Sequence, residues 1–324
     1  MSILQVNNLS VAYKVHGGIV KAVDKISFSL NKGEILGIVG ESGSGKSQTA
    51  HAIMGLLANN AMVSGSIKFM QQELLGLDPR RFNKLRGNKI AIIFQDPMTA
   101  LNPYLPIQVQ MIEVLMLHQG LSKNDAITKS VQMLDFVKIP EAQKRIKLYP
   151  HEFSGGMRQR VMIAMALLCN PEVVIADEPT TALDVTIQAQ ILELIRNLQT
   201  EFKTAVLMIT HDMGVVASIC NRVNVMYAGQ IMESATVDEI FYNTRHPYTQ
   251  ALLKSIPSMK VEVSSLTTIP GEPPNLFNLP RGCVFQERCS FVHDECRLEN
   301  ITEQILNDTH IVKCNLNMSN DKLD

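Results

Sequence analysis

The residues best suited to chemistry form one run, Gly40-Glu-Ser-Gly-Ser-Gly-Lys-Ser47, which fits the spacing G-x-x-x-x-G-K-[ST]. Gly40, Gly43 and Gly45 lack a Cβ, so the backbone around Ser42 and Ser44 is free to wrap an anion. The apolar run Ile35–Val39 comes directly before the loop, and Ala50, Ile53, Met54 and Leu57 recur at helical spacing after it. Loop N–H groups and a helix N-terminus, carrying about half a positive charge, favour phosphate there. Lys46 is placed to reach β- and γ-phosphates and Ser47 to ligate Mg²⁺. A glycine-rich turn with a solvated lysine is the simpler reading, and the flanking strand and helix weigh against it.

A second run, Val173-Val-Ile-Ala-Asp177-Glu178, delivers two adjacent carboxylates at the end of an apolar strand. Burying such a pair without cations is costly. Asp177 is expected on the Mg²⁺ side. Glu178, turned the other way by the pleat, is expected to be the base that polarises attacking water, a role typically worth about 10²–10⁴ in rate. A helix cap at a strand end would need only one acid.

Positioning these groups requires a scaffold. Ile35–Val39, Ile90–Phe94, Val173–Ala176 and Ala205–Ile209 read as buried strands. Ile187, Ile191, Leu194, Ile195 and Leu198 share one helical face between the last two. Strands joined by crossover helices predict an α/β fold with a mostly parallel sheet covered on both faces, with ligands at the carboxyl ends of its strands. The stretch from about 97 to 157, rich in Met, Leu and Gln, reads as a mainly helical subdomain set apart from that sheet.

Composition sets the outer limits. In 324 residues, 46% are hydrophobic and 19% charged, with 30 basic against 31 acidic side chains and a net charge of −1. That describes a globular chain with no general electrostatic appetite for nucleic acid. Apolar stretches such as Val161–Cys169 fall short of the roughly 20 residues that span a bilayer, and the start MSILQVNNLS lacks a signal-peptide layout, so the chain is expected to stay in the cytoplasm. From Pro257 onward there are 6 basic and 10 acidic residues, together with Pro257, Pro270, Pro273, Pro274, Pro280 and four of the six cysteines. A boundary near 257 therefore divides a large domain, 1–256, from a tail, 257–324.

The loop, the segment Phe153-Ser-Gly-Gly-Met-Arg-Gln-Arg160 and the segment Ala176-Asp-Glu-Pro-Thr-Thr-Ala-Leu-Asp184 together resemble an ATP-binding-cassette (ABC) ATPase over residues 3–257. The resemblance implies a P-loop NTPase cassette with an antiparallel edge subdomain, a helical subdomain and a small cysteine-containing C-terminal extension. Ser154, Gly155 and Gly156 would close over the γ-phosphate of ATP bound to the opposite subunit, and a helix start with free N–H groups suits that task. Tyr13 resembles the aromatic that stacks on adenine. Gln95 resembles the loop glutamine that approaches Mg²⁺ and the attacking water, Asp184 the acid that communicates between the two sites, and His211 the switch histidine near the γ-phosphate. The signature reads Phe-Ser-Gly-Gly-Met in place of Leu-Ser-Gly-Gly-Gln, and the loop after the acids Thr-Ala-Leu-Asp in place of Ser-Ala-Leu-Asp; neither departure removes a glycine.

Within the cassettes, Phe94-Gln-Asp-Pro-Met-Thr-Ala-Leu-Asn-Pro103, His246-Pro-Tyr-Thr249 and the cysteine tail resemble the peptide- and nickel-import branch, and Tyr149–Cys169 its D-type oligopeptide subunits. This implies the ATP-hydrolysing subunit of a bacterial oligopeptide importer, peripheral to the cytoplasmic face of the inner membrane. Expected partners are a paralogous F-type ATPase subunit in a heterodimer, two transmembrane permease subunits and an extracytoplasmic peptide-binding protein, with no nucleic acid. Dipeptide or nickel import by the same family is the alternative. A soluble cassette in translation or DNA repair is the alternative from another class. The spacings C-x5-C-x6-C-x17-C of Cys283, Cys289, Cys296 and Cys314 match neither a zinc ribbon nor a ferredoxin run, and buried unligated thiols remain open. The resemblance implies a structural [4Fe–4S] cluster on these four thiolates, with zinc as its rival.

Overall fold

Apolar runs without alternation bury both faces of a strand, and the computed structural model shows this at its centre. The structure describes residues 2–181, 184–256, 269–298 and 301–315. Strands β1 (Ser2–Val15), β2 (Gly18–Asn31) and β3 (Ile35–Val39) lead into helix α1 (Lys46–Met54). Strands β4 (Ala61–Phe69) and β5 (Gln72–Glu73) and helix α2 (Pro79–Leu85) then lead to β6 (Ile90–Ile93). Helices α3 (Pro97–Ala100), α4 (Ile107–Gln119), α5 (Lys123–Phe136), α6 (Ala142–Arg145) and α7 (Gly155–Leu167) follow. The chain then alternates: β7 (Val173–Asp177), α8 (Val185–Phe202), β8 (Ala205–Thr210), α9 (Met213–Ile219) and β9 (Arg222–Tyr227). After β10 (Gln230–Thr236) come α10 (Val237–Asn243), α11 (Pro247–Lys254) and the tail strands β11 (Glu303–Ile305) and β12 (Ile311–Lys313).

The large sheet runs β11-β12-β10-β9-β3-β8-β7-β6. Its strands from β9 to β6 are parallel, with Ile35 opposite Val206 and Val173 opposite Ala205. Alternation divides their side chains between two cores. Ala91, Ile93, Val174, Ala176, Val206 and Met208 face α4, α5, α7 and α8, whereas Val173, Ile175, Ala205, Leu207 and Ile209 face α1 and a second sheet. That second sheet, β2-β1-β4-β5, is antiparallel, and its inward Leu4, Val6, Leu9 and Val11 are fully buried.

Helices α3 to α7 occupy the stretch after residue 97, and their apolar side chains are continuous with the sheet. Ile107, Met111, Leu115 and Leu134 belong to the same buried cluster as Ile93 and Val174. The tail also departs from expectation. The boundary placed near 257 falls outside the described residues, yet β12 pairs antiparallel with β10, Val312 opposite Glu233, so the tail extends the main sheet. A buried hydrogen bond of 2.8 Å between His310 Nε2 and Glu233 Oε1 fastens this join. No helix among the described residues is long and apolar enough to cross a membrane.

Candidate nucleotide site

Strand β3 ends at Val39 and α1 begins at Lys46, and the turn between them is fixed by close backbone contact. At Gly40 a Cβ would sit 2.0 Å from the Met226 carbonyl oxygen, and at Gly45, where φ is +100°, 2.2 Å from that of Ala22. These two glycines are required by packing as much as by access to a ligand. No side chain caps α1, so its first N–H groups remain open to an anion. The Ser44 hydroxyl is buried beside them with no hydrogen-bond partner among the described residues. An open helix start and an orphaned donor fit a phosphate. Lys46 is almost wholly buried, its Nζ donating to the carbonyls of Gly40 at 2.8 Å and Glu41 at 2.9 Å. Burial lowers its pKa, while the carboxylates of Glu178, Asp177 and Glu41 pull the other way.

Strand β7 carries Asp177 to the same edge. The Ser47 hydroxyl donates to Asp177 Oδ1 at 3.0 Å, joining the two residues expected to hold Mg²⁺. Burial raises the pKa of Asp177, against the hydrogen bond from Ser47. Hydroxyl, carboxylate and amide oxygens suit a hard cation, and Mg²⁺ takes one or two carboxylates and completes its shell with phosphate and water.

Glu178 does not follow the pleat. The strand has ended at Asp177, and Glu178 takes a left-handed backbone, φ +48°, with its N–H bonded to the Ile209 carbonyl at 2.9 Å. This strained turn aims the carboxylate. Its Oε2 accepts from Gln95 Nε2 and from the Thr181 hydroxyl, both at 2.9 Å, and its Oε1 lies 3.3 Å from His211 Nδ1. Gln95 follows β6 and His211 follows β8, so the ends of three parallel strands, β6, β7 and β8, meet at one carboxylate.

One cleft of about 840 Å³ collects these groups, lined among others by Tyr13, Lys46, Ser47, Gln95, Glu178 and His211. Gly40, Ser42, Gly43 and Gly45 form its floor. Tyr13 stands at the rim, its hydroxyl donating to the Gln48 side chain. The cleft can hold an anionic ligand at one end and a polarised water near Glu178 at the other.

Ser154, Gly155, Gly156 and Asp184 do not line this cleft. Ser154 caps α7 and is exposed, and a Cβ on Gly155 would meet nothing within 4 Å, so that helix start opens to solvent. Asp184 caps α8, accepting from the Ile187 N–H at 2.9 Å, and the Ile187 side chain packs 3.1 Å from the Cβ position of Gly156. The segments bearing Ser154 and Asp184 therefore touch each other on a separate face.

The tail cysteines gather only partly. The thiols of Cys289, Cys296 and Cys314 all act on Cys283, whose pKa burial raises to about 12. Cys296 Sγ is already engaged, 3.2 Å from His293 Nδ1. Among the described residues no group of three or more His, Cys, Asp or Glu side chains is arranged to hold a metal ion, and the expected [4Fe–4S] or zinc centre on Cys283, Cys289, Cys296 and Cys314 is not supported by this arrangement. Sequence reasoning also missed three residues at the back of the loop: Tyr227, Tyr248 and Arg288. Only the burial of polar aromatic groups around Glu41 reveals them, and that depends on segments some 200 residues apart.

Comparison with known proteins agrees with this geometry. A family model described as ABC transporter matches residues 23–181, and one described as oligopeptide/dipeptide transporter, C-terminal region, matches 232–296. The oligopeptide transport ATP-binding protein OppD of Haemophilus influenzae is 58% identical over 296 residues, covering 91% of this chain and 92% of that one. The dipeptide transport ATP-binding protein DppD of Bacillus subtilis is 49% identical over 314 residues, covering 96% and 94%. A dimeric post-hydrolysis structure of the ATP-binding cassette MJ0796, bound to ADP and Pi, superposes with a TM-score of 0.66 at 27% identity, covering 72% of this chain and 98% of that one. Loop, paired acids, strand order and relatives together place the chain in the ABC transporter family, among the ATP-binding proteins of its oligopeptide and dipeptide branch.

Proposed function

We propose that this chain is the ATP-hydrolysing subunit of a bacterial oligopeptide importer. The observation that carries the reading is the convergence of Lys46, the Ser47–Asp177 pair and the Gln95–Glu178–His211 cluster on one cleft. Gly40 to Gly45 and Lys46 cradle the phosphates, and Tyr13 stacks on adenine. Ser47 and Asp177, with Gln95 near, hold Mg²⁺, which when bound offsets the negative charge of the β- and γ-phosphates. Glu178 takes a proton from water as its oxygen bonds to the γ-phosphorus; the bond to the β–γ bridging oxygen breaks, leaving ADP and phosphate. Gln95 and His211 orient Glu178 and the water.

Ser154, Gly155 and Gly156 lie off this cleft and serve the partner's nucleotide, with Asp184 beside them linking the two sites. Each chain on this reading contributes half of two sites. The proposed partner is a paralogous F-type ATPase, seated with this chain on the cytoplasmic face of two inner-membrane permease subunits that a peptide-binding protein supplies. Three relatives at 57–58% identity are named for oligopeptide transport, while at 48–50% both oligopeptide and dipeptide names occur, which favours longer peptides. In domain terms, 1–256 supplies the cassette, with 97–157 as its helical part, and 257–324 the extension. A structural [4Fe–4S] cluster on Cys283, Cys289, Cys296 and Cys314 belongs to the same reading, carried by the family resemblance of the cysteine tail alone; zinc, or no metal, in anaerobically purified protein would remove it.

The test is ATP hydrolysis by the assembled importer. Lys46→Ala should abolish nucleotide binding and peptide uptake together. Unchanged binding, or purification with ribosomes and no permease, would overturn the proposal.

A further inference from the structure

Glu41 is an awkward residue for a phosphate cradle. It places a carboxylate in the loop next to Lys46, whose Nζ already bonds the Glu41 carbonyl at 2.9 Å. An uncompensated negative charge there would repel a nucleotide and compete for the lysine.

The tail answers that charge. Arg288, one residue before Cys289, meets Glu41 in a two-point contact, Nη1 to Oε2 at 2.8 Å and Nη2 to Oε1 at 3.1 Å. The same guanidinium donates to the Tyr227 hydroxyl at 3.1 Å and, through Nε, to the Pro270 carbonyl at 2.9 Å. Its side chain is only 5% exposed. A planar fork matched to a carboxylate and excluded from water is among the stronger ionic contacts. The Glu41 N–H donates to the Tyr248 hydroxyl at 3.0 Å, so both the backbone and the side chain of this loop residue are held from behind. Earlier in the tail, Pro273, Pro274 and Leu276 line a small cavity together with Glu41–Ser44, and Leu276 also lines the nucleotide cleft.

We propose that Arg288 is a positioning residue that neutralises and pins Glu41, so that the loop binds phosphate more tightly while the tail is docked on it. This rests on the nucleotide cleft proposed above. It ties nucleotide affinity to the folding of the cysteine-bearing segment, although that segment contributes no group to the phosphate cradle.

The experiment is calorimetric titration of Mg·ADP into the purified full-length chain. Arg288→Ala exposes the Glu41 charge to the nucleotide, and affinity should fall about tenfold. Glu41→Gln alone serves as the reference of the cycle, and combining it with Arg288→Ala should restore most of the loss relative to Arg288→Ala, because the repelling carboxylate has gone. A role in folding alone would not be rescued in that way. Arg288→Lys keeps the charge without the fork and should fall between, and it carries the test should Arg288→Ala not fold. Affinity of Arg288→Ala within twofold of wild type, or a double variant as weak as Arg288→Ala, would overturn the proposal. Lys46→Ala separates the two readings: undiminished binding there would remove the cradle itself, whereas its loss alongside normal binding by Arg288→Ala would remove only the brace.

Discussion

Glu178→Gln separates binding from chemistry because the substitution fits the site. Oε2 of Glu178 accepts from Gln95 and Thr181 at 2.9 Å, and Oε1 faces His211 Nδ1 at 3.3 Å. A glutamine can turn its carbonyl toward Gln95 and Thr181 and its amide toward His211, in the tautomer whose Nδ1 accepts. No buried polar group is then left unpaired, so fold stability should change by less than about 0.5 kcal/mol. The base is gone, however, and hydrolysis should fall by about 10²–10⁴, equivalent to about 2.7–5.4 kcal/mol of transition-state stabilisation. Phosphate release by the assembled importer, nucleotide affinity and melting temperature, measured on the same preparations, give the three readouts. ATP binding should persist and the closed dimer should accumulate. Turnover within tenfold of wild type would show that another group takes the proton.

Gly45→Ala should destabilise the chain by about 3 kcal/mol or more, since its Cβ would meet a backbone oxygen at 2.2 Å from a positive φ; an unchanged melting temperature would refute the packing argument. Burial lowers the His246 pKa from 6.5 to about 4, against the charge of Glu233 and the nearby Lys313 backbone. The unfolded chain takes up a proton in that window and the fold does not. Stability should therefore be full above the ordinary histidine pKa and decline as pH falls toward 4, by on the order of 3 kcal/mol. His246→Asn keeps an acceptor for the Tyr248 N–H, which His246 Nδ1 now bonds at 3.0 Å, and urea titrations should show it without that slope. Equal slopes in both proteins would sink the assignment.

The central strands were legible because each is a short apolar run buried on both faces, and helix α8 because its stripe repeats every three to four residues. The paired acids were found, but the aim of Glu178 was not. A pleat argument assumes the strand continues, whereas a left-handed turn stops it one residue earlier. Strands β11 and β12, three residues each, show no periodicity, and only the pairing of β12 with β10 and of β11 with β12 makes them strands. For the same reason the tail read as separate. Val312 and His310 are buried by residues more than 70 positions upstream, and nothing local announces it. Lys46, Ser47 and Asp177 could be read from spacing alone; Arg288 could not, because its partner Glu41 lies 247 residues away.

One edge of the large sheet is supplied by the tail strands β11 and β12, translated after the nucleotide motifs. Until residues 303–313 emerge, β10 has no neighbour on one side, and Glu233 waits in the interior without its histidine. An open edge of that kind invites pairing with other chains. A chain cut before residue 303 should thus be prone to aggregate although it retains every nucleotide motif.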